Sequence, residues 1–92
     1  MTLSILTWDS FRALPSAAEA ASVSRFCLFS LATLELARSP ATTDLALIEQ
    51  QNPKVWRWAV VSSDGFLVDA GFEPTQAYAK KAVERALHLE VA

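Results

Sequence analysis

The chain has 92 residues, 52% apolar and 20% charged, enough for one compact domain with a single core and little beyond it. A formal charge of -2 argues against wholesale capture of nucleic acid or anionic membrane, which normally shows as a basic excess. Two glycines leave no phosphate-cradling loop, and the single Cys27, set in the apolar run RFCLFSL, excludes an intrachain disulfide and suits a buried thiol in a reducing compartment.

The start, MTLSILTWDSF, has no positive charge before Arg12 and no small-residue cleavage site after an apolar stretch, so it does not read as a secretory signal. Residues 3–6 suit a short strand, and Asp9 or Ser10 suits the cap of a one-turn helix ending near Pro15; whether Trp8 is core or surface stays open. PSAAEAASVSRFCLFSLATLELARSP reads as the longest helix. Ser16 and Glu19 have the spacing in which each side chain satisfies the other's backbone amide, and Ser39-Pro40 is the expected stop. Within it Val23, Cys27, Leu31 and Leu34 form one stripe and Phe26, Phe29, Thr33 and Leu36 a neighbouring one. The second half is thus apolar around most of its circumference. Such a helix is central to the fold or shared with another chain, which makes the 17–38 helix the expected seam of a homodimer. Its apolar run, 26–34, is far shorter than the ~20 residues that span a bilayer, so a cytoplasmic protein with no membrane partner is expected.

Residues 42–51, TTDLALIEQQ, are helix formers after a Thr/Asp start and are read as helix, although Leu45 and Leu47 also alternate as a strand would. Asn52-Pro53 then breaks the chain. VWRWAVVSSDGFLVDAG reads as a hairpin. A three-residue connection, Ser63-Asp64-Gly65 with Gly65 left-handed, puts Trp56, Trp58 and Val60 on one apolar face with Val68, Ala70 and Phe72. The other face then carries Arg57, Ala59, Val61, Leu67 and Asp69, with Arg57 and Asp69 near enough for a diagonal pair. A two- or four-residue connection would set the tryptophans beside Leu67, Asp69 and Gly71 instead, a poorer separation of polar from apolar. The last helix spans about 75–90 with Pro74 near its first turn and Tyr78, Ala79, Ala82, Val83, Ala86 and Leu87 as its apolar stripe. Its small alanines let a sheet come close, and the tryptophans opposite fill the gap.

No catalytic, cofactor or metal residues are expected. His88, the one histidine, sits on the polar side of a terminal helix, where it reads as a helix-end cation rather than a general base. Asp64 and Asp69 flank a turn without a further oxygen cluster to complete a cation site. Lys80, Lys81 and Arg85, with Lys54, make the one basic cluster, beside Glu84 and Glu90, so its counterion-release term is small.

Residues 65–89, GFLVDAGFEPTQAYAKKAVERALHL, resemble the end of a double-stranded RNA-binding domain. Thr75 stands where that family has its serine and Ala79-Lys80 match its Ala-Lys, but Gln76 and Ala77 replace the two phosphate-binding lysines. In size, hairpin-helix layout and missing chemistry the chain is similar to small phage and prophage inhibitor proteins of the anti-CRISPR type. That resemblance implies a non-enzymatic module that occludes a host protein or ribonucleoprotein complex, with RNA binding as the alternative. The expected architecture is α+β: an antiparallel hairpin, with or without a third strand, packed on the C-terminal helix, plus the long apolar helix in the N-terminal half. The expected partner-binding residues are Arg57, Asp69, Lys80, Lys81 and Arg85, with Trp8 as an anchor.

Overall fold

The computed structural model describes residues 6–10, 17–29, 33–39 and 44–87. Five strands, β1 (Asp9–Ser10), β2 (Glu35–Arg38), β3 (Leu45–Asn52), β4 (Val55–Val61) and β5 (Leu67–Glu73), form one antiparallel sheet in chain order. Helix α1 (Ala17–Phe26) lies between β1 and β2, and α2 (Gln76–Ala86) follows β5. The helices cover opposite faces. Val23 of α1 packs with Leu34, Leu45, Leu47, Ala59 and Val61; Ala79, Ala82 and Val83 of α2 pack with Ala46, Ile48, Trp58 and Val60. Among the described residues no helix is long and apolar enough to cross a membrane.

The chain is therefore α+β, with two corrections to the expected layout. There is no long apolar helix in the N-terminal half: α1 stops at Phe26, and residues 35–38 are a strand. The dimer seam expected along 17–38 thus has no helix to form it. The sheet has five strands rather than two or three, because residues 45–52, expected as helix, are β3. Both faces of β3 and β4 are covered, and Leu45, Ala46, Leu47, Ile48 and Glu49 are all buried. A strand buried on both sides loses the in-out alternation by which strands are recognised. Asp9 and Ser10 belong to β1 rather than to a capped helix turn; residues 2–5 and 11–16 lie outside the described residues.

The β4–β5 connection forms as the sequence indicates. Ser62 N–H donates to Phe66 O at 2.8 Å, Gly65 N–H to Ser62 O at 3.0 Å, and Gly65 takes φ 85°, the left-handed conformation that glycine adopts without a Cβ clash. The register follows for one pair only, Val61 opposite Leu67, and then shifts: Val60 faces Asp69, Trp58 faces Gly71 and Arg57 faces Phe72. Val68 is the extra residue. One inserted residue turns the rest of a strand over, so Ala70 and Phe72 point to the α1 side and not, as expected, to the tryptophan side. Gly71 explains the preference. A Cβ placed there would lie 2.8 Å from Trp58 Nε1, so the indole can lie flat across β5 only where the strand has no side chain. Trp58 is accordingly buried against α2, as expected from the alanines of that helix.

Helix α2 starts where expected: Thr75 is its N-cap and accepts from Tyr78 N–H at 3.1 Å, the side-chain oxygen satisfying a free first-turn amide. Tyr78 departs from the expected stripe and is exposed.

Replacing Gly71 with alanine drives a methyl group into the Trp58 ring, and the expected loss is about 1–3 kcal/mol of stability, read from urea midpoints. Ala70→Gly, one residue away on the exposed side of the strand, should cost less than 71→Ala; equal losses would mean that the indole does not set the register.

Candidate interaction surface

The end of α1 is fixed by a buried ion pair. Glu49 of β3 and Arg57 of β4 face each other in the ladder, and Arg57 Nη1 lies 2.9 Å from Glu49 Oε2. Glu49 is fully buried and Arg57 is 6% exposed. Each partner also holds backbone of the α1 terminus. Arg57 Nη1 donates to the carbonyl of Phe26 at 2.7 Å. Glu49 accepts from the amides of Phe29 at 2.7 Å and Leu28 at 3.1 Å, and from Cys27 Sγ at 3.3 Å. The last helical carbonyls and the next amides normally bond each other as a helix continues. Here the pair takes both sets, while Cys27 N–H makes the tighter bond to Ser24 O that closes a final turn. This is why the apolar pattern beyond Phe26 does not continue as helix.

Ended there, the chain leaves Leu28 and Phe29 exposed on the α1 side of the sheet, where the Phe29 ring centroid is 6.5 Å from that of Phe72. Strand β5 is the last in the sheet, and Leu67, Val68, Asp69, Ala70 and Phe72 are all exposed. Phe66, beside it, is 70% exposed and Phe72 57%. Phe29, Phe66, Leu67, Val68 and Phe72 therefore border one open sheet edge, where isolated exposed residues would be ordinary and a contiguous group marks a contact surface. Ala70 N–H bonds its neighbour's Asp69 Oδ1 at 2.9 Å.

The residues expected to bind a partner are scattered. Arg57, expected on the surface beside Asp69, is buried and paired with Glu49, so its guanidinium cannot reach a partner. Asp69 is exposed on the opposite sheet face from Arg57, in a cleft of about 340 Å3 with Trp58, Glu73 and Arg85. Lys81 and Arg85 are exposed. Lys80 is held in place: Nζ lies 3.6 Å from Glu35 Oε1 and 5.5 Å from the Trp8 ring centroid, while Gln76 Nε2 donates to Glu35 Oε2 at 2.6 Å. Trp8 is half-buried against the α2-side core, its Nε1 sealed from water without a partner. Among the described residues no three His, Cys, Asp or Glu side chains gather as metal ligands. Sequence reasoning missed Glu49 and the Phe29/Phe72 pair. The turn at Asn52-Pro53-Lys54-Val55, with Lys54 N–H donating to Asn52 Oδ1 at 2.9 Å, would by itself set Gln50 opposite Arg57; a bulge between Gln50 and Asn52 shifts the register so that Glu49 faces Arg57.

Cys27 is a half-buried free thiol. Burial, then the hydrogen bond and negative charge of Glu49, push its pKa up, so the thiolate that alkylating reagents require is scarce at neutral pH. Iodoacetamide at pH 7 should label the folded protein far more slowly than the urea-unfolded chain, and comparable rates would contradict the Glu49 contact. Glu49→Ala leaves Arg57 buried without its counter-charge and should cost about 3–5 kcal/mol. The double variant Glu49→Leu/Arg57→Met should recover only part of this, because the Leu28 and Phe29 amides still lack an acceptor at about 1–3 kcal/mol each; full recovery in urea titration would show that the pair does not hold the helix end. No protein-family model matches this chain, and no curated protein or solved structure is significantly similar to it.

Proposed function

We propose that this chain is a non-enzymatic protein-binding module that acts by occlusion, laying the open β5 edge and the apolar side chains around it against another polypeptide. The observation that carries the reading is the group Phe29, Phe66, Leu67, Val68 and Phe72, all exposed around one terminal strand. Strand addition to such an edge supplies backbone hydrogen bonds, and the flanking side chains supply apolar contact. Phenylalanines of this kind are typical of the buried centre of protein interfaces. The exposed charges Asp69, Lys81 and Arg85 then form the polar rim, and Arg57 has no part in it. As part of the same proposal, the protein works in the cytoplasm, where the lone Cys27 stays reduced. Its targets are host proteins or ribonucleoprotein complexes of the kind that phage-encoded inhibitors occlude, CRISPR effectors among them.

The test compares the tagged chain with a Val68→Lys/Phe72→Lys variant in host lysate. The expected result is a stoichiometric protein partner retained by the natural sequence, unaffected by nuclease and lost with the variant. Capture that nuclease abolishes, or that survives in the variant but disappears with Lys80→Glu/Lys81→Glu, would replace this reading with nucleic-acid binding.

A further inference from the structure

We infer that in the free protein the polypeptide on β5 is a second copy of this chain, paired antiparallel about a two-fold axis at Ala70 so that two five-stranded sheets join into one. The inference rests on the reading of β5 as a contact surface and names its first occupant. Ala70 donates its amide to the Asp69 carboxylate, so that amide points away from β4. By the alternation of antiparallel pairs Phe72 also turns its backbone groups outward. A two-fold axis perpendicular to the sheet at Ala70 sets Ala70 opposite Ala70 of the other copy, Val68 opposite Phe72, and Asp69 opposite Gly71. No carboxylate meets another directly. The alternative centred on Asp69 would oppose two aspartates, and the one centred on Gly71 would oppose Asp69 and Glu73; like charges directly opposite are destabilising. The two Asp69 side chains lie on the diagonal rather than directly opposite, each in a cleft that Arg85 also lines.

The strand carries few of the usual protections of an edge: it runs seven residues with no proline or lysine, its bulge lies at one end, and Asp69 occupies the Ala70 amide. Pairing exchanges that local bond for one from the Ala70 amide to the Ala70 carbonyl of the other copy. At roughly 100 Å2 for each half-exposed large side chain, the five apolar residues hold on the order of 500 Å2 per copy. A symmetric pair would then bury about 1,000 Å2, the threshold for a specific interface. A two-fold contact of one patch with itself closes at two copies, so the edge is used up rather than left to propagate.

The experiment uses the purified full chain. Light scattering should give twice the monomer mass at about 100 μM, falling to the monomer on dilution, and Val68→Lys/Phe72→Lys should weaken association at least tenfold. In a Cys27→Ala background, Ala70→Cys should form an intermolecular disulfide under mild oxidation, because opposed residues at the axis are within bridging distance, while Ser63→Cys in the exposed turn should not. A dimer that is insensitive to the β5 substitutions, or that cross-links equally through position 63, would overturn the inference. A monomer that still captures a β5-dependent partner from lysate would overturn self-pairing and leave the proposed function standing. A monomer that captures nothing would overturn both.

Discussion

The buried pair between Glu49 and Arg57 is the contact on which the arrangement of the α1 side depends. Ion pairs in protein interiors repay their desolvation only when the remaining donors and acceptors are also satisfied. Here those additional partners are backbone groups of Phe26, Leu28 and Phe29. The pair therefore does two things at once: it stops α1 at Phe26 and ties the following segment to the middle of the sheet. The helix end and the β3–β4 hairpin, some twenty residues further along the chain, are joined through two side chains.

A second constraint, steric rather than electrostatic, acts on the other face. The Trp58 indole fills the space that the small residues of α2 leave against the sheet, and it crosses β5 at Gly71. The Val68 bulge brings Gly71 to that position, and by turning over the rest of β5 it sends Phe72 to the α1 side beside Phe29. The apolar rim of the open edge thus follows from packing requirements inside the protein. Core and contact surface share one register.

The parts legible in the sequence are those set by neighbours along the chain. Gly65 in its turn, the start of α2 near Thr75, the alanine stripe of α2 and the burial of Trp58 against it all rest on local spacing. What escaped depended on distant partners. The helix expected over 17–38 ends at Phe26 because Glu49, more than twenty residues on, takes its next amides. The strand at 45–52 passes for helix because covering both faces removes its alternation. The hairpin face was misassigned because a bulge leaves no mark in the sequence beyond Gly71, whose meaning appears only once Trp58 lies over it. Arg57 seemed a surface charge for the same reason: its partner sat in a segment read as helix.

Function, on this account, follows from what the two helices leave uncovered. They close over β3 and β4, and the last strand keeps a free edge with Phe66 and Phe72 exposed to water. The central claim, that the Glu49–Arg57 pair holds the end of α1 in place, is tested most directly by amide hydrogen exchange at Leu28 and Phe29. Both lie in an exposed segment outside any helix or strand, yet the account predicts slow exchange close to that of the β3–β4 ladder, lost in Glu49→Gln while β3 and β4 stay protected. Exchange as fast in the natural sequence as in the Ser63-Asp64 turn would contradict it.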